Sequence, residues 1–325
     1  MLIQILILLI SLVTLVWSAD KFVFGASSLA RNFGISPMII GLTIVAMGSS
    51  APEMMVAATS SLDGKPNFAI GNAIGSNITN IALVLGITAL FQPLSVSSST
   101  VRREIPLILI ITALAYWMLS DSYFGFNEGL SLFIGFFVYI IALLLITLRA
   151  SKSRPVDDPL IIEAEKEVAD AVSKPESILW LAVGMILLPM SAIYLVESSV
   201  FIAQAFGISD LVIGLTVVAI GTSLPELAAS IMSIIKKEDD LALGSIIGSN
   251  IFNILAVLSL AGLIAPGEVD SDAATRDAPY MLGVTVLLFI LCFTRRAGSF
   301  RITRMKGLLL IGAFVAYQIL LFSQI

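Results

Sequence analysis

Two glutamates stand inside long apolar stretches, Glu53 in IIGLTIVAMGSSAPE (39–53) and Glu226 in VIGLTVVAIGTSLPE (212–226). Placing a charge in hydrocarbon costs at least ~2.5–3.5 kcal/mol on insertion scales, so an ionisable residue at such a position marks a functional site by default. Each glutamate follows a proline, Pro52 or Pro225. Proline has no N–H, and the carbonyl four residues back, at Gly48 or Gly221, loses its helical donor. Freed carbonyls of a broken membrane helix are tolerated where they line a cavity or meet a cation. Hydroxyls sit at helical spacing from the carboxylates: Ser49 and Ser50 precede Glu53 by four and three residues, and Thr222 and Ser223 precede Glu226 likewise, which puts each trio on one helix face. A second pair of segments, AIGNAIGSNITNI (69–81) and ALGSIIGSNIFNI (242–254), sets Ser76 four residues before Asn80 and Ser249 four before Asn253. Gly71, Gly75, Gly244 and Gly248 in the same segments let helices approach closely.

The set amounts to two carboxylates, two or more amide oxygens, several hydroxyls and exposed carbonyls. The chain has no histidine and a single cysteine, Cys292, so neither an imidazole nor a thiolate cluster competes for the role. Hard cations such as Ca²⁺, Na⁺ and Mg²⁺ want oxygen ligands, and a set of this number and flexibility suits Ca²⁺ better than the strict octahedron of Mg²⁺. Two ionised carboxylates are neutralised equally by one Ca²⁺ or two Na⁺, and the empty charged site is expensive to carry across a barrier. Exchange of one ion for the other follows from that arithmetic. The plainer roles are a hydroxyl bonded back to its own helix, glycines that only pack, and Asn77 and Asn250 as interhelical bonds. Asp20 with Lys21 reads as an interfacial pair, and Arg103–Glu104 and Arg276–Asp277 as charges at helix starts.

The elements that must hold these residues are membrane helices. Of 325 residues 58% are hydrophobic and 13% charged, with a mean hydropathy of +1.02, far above a soluble domain. Apolar runs at 2–19, 37–61, 68–92, 105–120, 129–148, 177–204, 210–235, 241–265, 279–293 and 306–323 predict about ten transmembrane helices in an all-α integral membrane protein. An offset of 173 superposes the two glutamate segments, the two GSN segments, FGIS at 33–36 on 206–209, and Arg103–Glu104 on Arg276–Asp277. One offset across four separated motifs is the mark of an internal repeat. The reading divides the chain into a first five-helix repeat at 1–148, a polar linker at 149–176 and a second five-helix repeat at 177–325. Five is odd, so the second copy enters the membrane from the opposite side, an inverted-topology repeat of the kind secondary transporters build.

Sixteen of the 18 Lys and Arg residues fall on the connections after odd-numbered helices, leaving only Lys65 and Arg276 on the other side. The positive-inside rule then makes the linker cytoplasmic and puts both termini outside. A net charge of −5 excludes a phosphate-binding surface, so no nucleic acid is expected. No Ser–Lys or paired-Asp arrangement lies in the spans and there is no histidine, which disfavours an intramembrane enzyme. No cofactor and no obligatory protein partner is indicated; the expected company is membrane lipid and the transported ions.

GSSAPE with GNAIGSNITN, repeated as GTSLPE with GSIIGSNIFN, resembles the two alpha-repeats of the calcium/cation antiporter superfamily, in particular its bacterial sodium/calcium exchanger-like branch, over essentially the whole chain. That resemblance implies a secondary active antiporter of the cell membrane exchanging Na⁺ for Ca²⁺ by alternating access at a midplane site, with a Ca²⁺/H⁺ or other cation/H⁺ antiporter as the alternative. It implies Glu53 and Glu226 as shared carboxylate ligands. Ser49, Ser50, Thr222, Ser223, Ser76, Ser249, Asn80 and Asn253 would supply side-chain oxygens, and Ala46 and Ala219 backbone carbonyls. The departure from the family pattern is Asn253, where many members carry Asp.

Overall fold

Leucine, isoleucine, valine and phenylalanine in near-continuous runs leave the backbone only one way to satisfy its polar groups without water, the helix, and helices dominate the chain. The computed structural model describes residues 1–33, 35, 37–152, 173–206, 219–293, 295–296 and 299–323. Its main helices are α1 (Leu2–Phe33), α2 (Met38–Ser49), α3 (Ala51–Leu62), α4 (Pro66–Phe91), α5 (Glu104–Leu119), α6 (Phe126–Lys152), α7 (Lys174–Ala205), α8 (Leu224–Ile235), α9 (Asp239–Ile264), α10 (Ala273–Phe293) and α11 (Arg304–Phe322). The offset found in the sequence recurs in the helix limits: moved by 173, α3 falls on α8 and α4 on α9. Most of the linker expected at 149–176, and the 212–218 part of the second glutamate segment, lie outside the described residues.

Seven of the described helices are long and apolar enough to cross a membrane, or up to eight if α2 and α3, bent by 47° at Ser50, make one span. Ten runs yield fewer qualifying helices for two reasons. The helix over the 105–120 run has only 16 residues, short of the ~20 a straight crossing needs, and the run at 210–235 falls partly on residues not described. The first run overshoots the limit expected at 19. α1 continues through Asp20 and Lys21 to Phe33, since Asp20 meets Lys236 at 2.6 Å and Lys21 at 3.5 Å and the neutralised charges no longer end the helix. The chain is not wholly helical: β1 (Leu94–Val96), β4 (Arg295–Arg296) and β5 (Ser299–Ile302) form one small antiparallel sheet in the order β1-β5-β4, and β2 (Tyr123–Phe124) pairs with β3 (Gly267–Glu268).

The centre belongs to α4 and α9. The apolar stretch of α9 is buried along its whole length, whereas those of α1, α6, α7 and α11 are mostly exposed, the pattern of a sheath facing hydrocarbon. Glycines set the closest approach. A Cβ on Gly41 of α2 would lie 2.8 Å from the Leu241 carbonyl oxygen and 2.9 Å from the Gly244 Cα, and one on Gly248 of α9 2.7 Å from the Leu42 Cα and 2.8 Å from the Ala46 Cβ. α2 of the first half therefore lies backbone to backbone against α9 of the second, and the motifs on both are brought to one place.

Candidate ion site

The two glutamates occupy matching breaks. Helix α2 ends at Ser49, Ser50 adopts φ −86°, ψ 11°, and α3 restarts with Pro52 in its first turn and Glu53 just behind. Ahead of α8, Ser223 adopts φ −91°, ψ 6°, with Pro225 and Glu226 in the same relation. The bridge-region backbone at each serine turns the chain, and proline costs nothing at the start of a new helix, where its absent N–H would have been unpaired. Each carboxylate thus sits at a helix N-terminus, the end whose unpaired N–H groups favour negative charge. Both are fully buried.

Contacts cross between the halves at this point. The Ser50 hydroxyl donates to Glu226 Oε1 at 2.9 Å, the Ser249 hydroxyl to the same oxygen at 3.5 Å, and Ser49 and Ser249 share a hydroxyl contact at 3.3 Å. Ser76 lies alongside Glu53, and the two carboxylates are near enough to interact electrostatically. Both oxygens of Glu53, Oε2 of Glu226 and the Ser223 hydroxyl are buried without a hydrogen-bond partner. So are both amide atoms of Asn80 and of Asn253. These asparagines lie in π-helical turns, Thr79–Val84 of α4 and Asn253–Leu258 of α9, insertions that recur at functional sites because they leave ladder groups displaced. Thr222 closes the short helix Ala219–Thr222 and, with Ser76, Asn67 and Arg276, lines a cavity of about 320 Å³.

The residues singled out by spacing thus divide in two. Glu226, Ser49, Ser50 and Ser249 touch one another; Glu53 with Ser76 lies beside them. Asn80 and Asn253 are buried in the adjoining turns with no hydrogen bond to either carboxylate, and Ala46 offers a carbonyl that already accepts from the Ser50 N–H at 3.0 Å and the Ser49 hydroxyl at 3.3 Å. Ala219 opens its short helix. Asn77 does bond between helices, to Met281 Sδ at 3.5 Å, but Asn250 turns back to Ile246 O of its own helix at 2.7 Å. One contributor escaped the sequence reading: Asn72 donates to the Glu53 backbone carbonyl at 3.3 Å. Its signal was present, since Asn72, Ser76 and Asn80 recur at intervals of four.

Buried polar atoms without partners cost about 1–3 kcal/mol each, and a native interior seldom keeps so many in one place. Here most of them are oxygens, three of them belonging to the two carboxylates and the rest to Ser223 and the asparagines of the adjoining turns. Among the described residues no group of three His, Cys, Asp or Glu side chains could hold a metal, so the charge at this point is that of two carboxylates beside serine hydroxyls. Carboxylate and neutral oxygen donors are the kind that suit hard cations.

A family model described as sodium/calcium exchanger protein matches residues 3–146 and 176–323. Putative antiporter CaxA of Alkalimonas amylolytica is 52% identical over 325 residues, covering 100% of both chains. Inner membrane protein YrbG of Escherichia coli (strain K12) is 41% identical, covering 99% of this chain and 98% of its own. Among solved structures, the sodium-calcium exchanger NCX_Mj soaked with Na⁺ and Ca²⁺ superposes with a TM-score of 0.81 at 29% identity, over 97% of each chain.

Proposed function

The chain belongs to the sodium/calcium exchanger protein family, a multi-pass membrane antiporter and not an enzyme, and from that premise we propose that it exchanges Na⁺ for Ca²⁺ by alternating access at the Glu53–Glu226 site. The observation that carries the proposal is the bond from Ser50 to Glu226, in which a hydroxyl of the first half holds the carboxylate of the second. A site assembled from both halves is remade or released when the halves move against each other, as alternating access requires.

In this reading Glu53 and Glu226 carry the charge. Ser49, Ser50, Ser76, Thr222, Ser223, Ser249, Asn80 and Asn253 complete the oxygen shell with the carbonyls of Ala46 and Ala219. One Ca²⁺ or two Na⁺ cancel the two negative charges, and either load crosses at lower cost than the bare pair. The cavity through Ser76 and Thr222 is the ion path on one face. The two halves, 1–148 and 177–325, are inverted five-helix repeats giving ten spans, joined by a cytoplasmic linker at 149–176, with both termini outside. The shared 173-residue offset of helix limits supports the repeat, and the division of basic residues supports the orientation.

The test is ⁴⁵Ca²⁺ uptake into proteoliposomes preloaded with Na⁺, K⁺ or neither. Uptake should require internal Na⁺ and vanish in Glu53→Gln and Glu226→Gln, which keep shape and one oxygen but lose the charge that offsets a divalent ion. Uptake driven by a pH gradient without Na⁺ would replace the reading with Ca²⁺/H⁺ exchange. Near wild-type rates in either variant would remove the carboxylate pair from the site.

A further inference from the structure

The cavity that reaches Ser76 and Thr222 has an ion pair built into its wall. Arg276 and Asp277, at the start of α10, both line it, together with Asn67, Gly71 and Tyr317. Nε of Arg276 donates to Asp277 Oδ1 at 2.7 Å and an Nη to Asp277 Oδ2 at 3.1 Å, while the other Nη reaches Asp272 Oδ2 at 3.0 Å. The guanidinium is mostly buried, its side chain 17% exposed, and Tyr317 stands beside Asp277. A planar fork held by two carboxylates is a fixed positive charge, not a swinging one. At the equivalent place in the first half the arrangement is absent: Arg103 is exposed and Oε2 of Glu104 is buried without a partner.

The surroundings make that charge conspicuous. Three loops meet at this mouth: Val269 donates to the Ser122 carbonyl at 2.9 Å, Asp270 N–H to Asn67 Oδ1 at 2.9 Å, and β2 pairs with β3. Among the described residues they and the adjoining helix ends bring Asp63, Asp121, Glu128, Glu268, Asp270, Asp272 and Asp277, against Lys65 and Arg276 alone. Such a surface concentrates cations, yet the two charged groups among the described residues of the cavity wall, Arg276 and Asp277, are paired with each other.

We infer that Arg276 is a built-in counter-cation that sets the strength with which this mouth draws ions toward the site: by occupying Asp277 it denies that carboxylate to arriving cations, so they pass without a competing stop. Fixed in this way, it makes the outer path a weak attractor and leaves the tight binding to the Glu53–Glu226 shell. The inference rests on the cavity being the ion path proposed above, and its test does not depend on which ion is carried.

The experiment measures the field in the cavity directly. Cys292, the one native cysteine, is fully buried and is replaced by serine; the probe thiol is Gly71→Cys, where an added Cβ meets no described atom within 4 Å. In detergent-solubilised protein, modification rates are compared for a positively and a negatively charged methanethiosulfonate of similar size. Arg276→Gln should raise the ratio of cationic to anionic rates at least about threefold at low salt, the effect of removing a unit charge within a Debye length of the thiol. Asp277→Asn should lower it, and Arg276→Lys, which keeps the charge, should leave it near wild type. An unchanged ratio in Arg276→Gln overturns the inference, as does an equal shift in Arg276→Lys, which would trace the effect to altered packing. Failure of Na⁺-dependent Ca²⁺ uptake in the parent protein would strike the proposed function and leave these ratios standing.

Discussion

Asn253 shows how much a single atom decides at this site. It is fully buried, opens the π-helical turn of α9, and neither end of its amide has a partner. With aspartate there, three carboxylates would share one shell and two monovalent ions would no longer cancel the charge. Asn253→Asp is therefore expected to steepen the Na⁺ dependence of exchange, read as a higher Hill coefficient in proteoliposome uptake. A wild-type Na⁺ profile would mean that the amide only braces helices and would take this residue out of the proposed shell. The serines were legible as oxygen donors from spacing alone. Which of them meets which carboxylate was not, because the bond from Ser50 to Glu226 joins residues 176 positions apart and depends on how α2 lies on α9.

At the level of elements the division between what spacing reveals and what it hides is physical. Hydropathy marks where chain must be buried in lipid, so the core pair α4 and α9 appeared within a few residues of the expected runs. It says nothing of a charge that finds a partner. Asp20 and Lys21 looked like the end of a helix, and the structure carries α1 through them on the strength of Lys236. Nor does it register a one-residue insertion such as the turn at Thr79–Val84, which leaves composition untouched. The glycine contacts were expected as packing devices and yield a stability prediction. Gly248→Val forces its side chain onto the Leu42 backbone and Ala46 and should destabilise the protein by about 1–3 kcal/mol, the usual cost of overpacking. Gly312→Val, with no described atom within 4 Å, should melt close to wild type in the same detergent assay. Equal melting of the two variants would dismiss the close approach of α2 to α9.

For the molecule as a whole, the sidedness of its charges makes the orientation testable. A membrane-impermeant thiol reagent applied from outside should fail to reach Ser151→Cys and should label a cysteine placed at Gln324 in the same Cys292→Ser background. The reverse pattern would invert the proposed orientation without touching the repeat, which rests on sequence offset and helix limits. The offset of 173 was readable because the copies kept their spacing, and it recurs in the helix limits; length and composition do not by themselves qualify all ten runs, since the helix over 105–120 has 16 residues and the run at 210–235 is described only in part.

The unequal helices have a consequence for the bilayer itself. α1, at 32 residues, is about 48 Å long, while α5, at 16 residues, is about 24 Å, and both turn bulky apolar side chains outward, Ile3 and Val13 on the one and Ile110 and Trp117 on the other. A crossing by α5 would thin the lipid beside it, whereas the apolar stretch of α1 before Asp20 reaches across without thinning, each ångström of mismatch costing a fraction of a kcal/mol. Spans of such unequal length would give the protein a collar of uneven thickness, its leaflets bent before any ion moves. If the transport cycle changes that collar, exchange should pass through an optimum in acyl-chain length when the same protein is reconstituted in a series of phosphatidylcholines. A flat response would mean that the deformation is the same at every stage of the cycle.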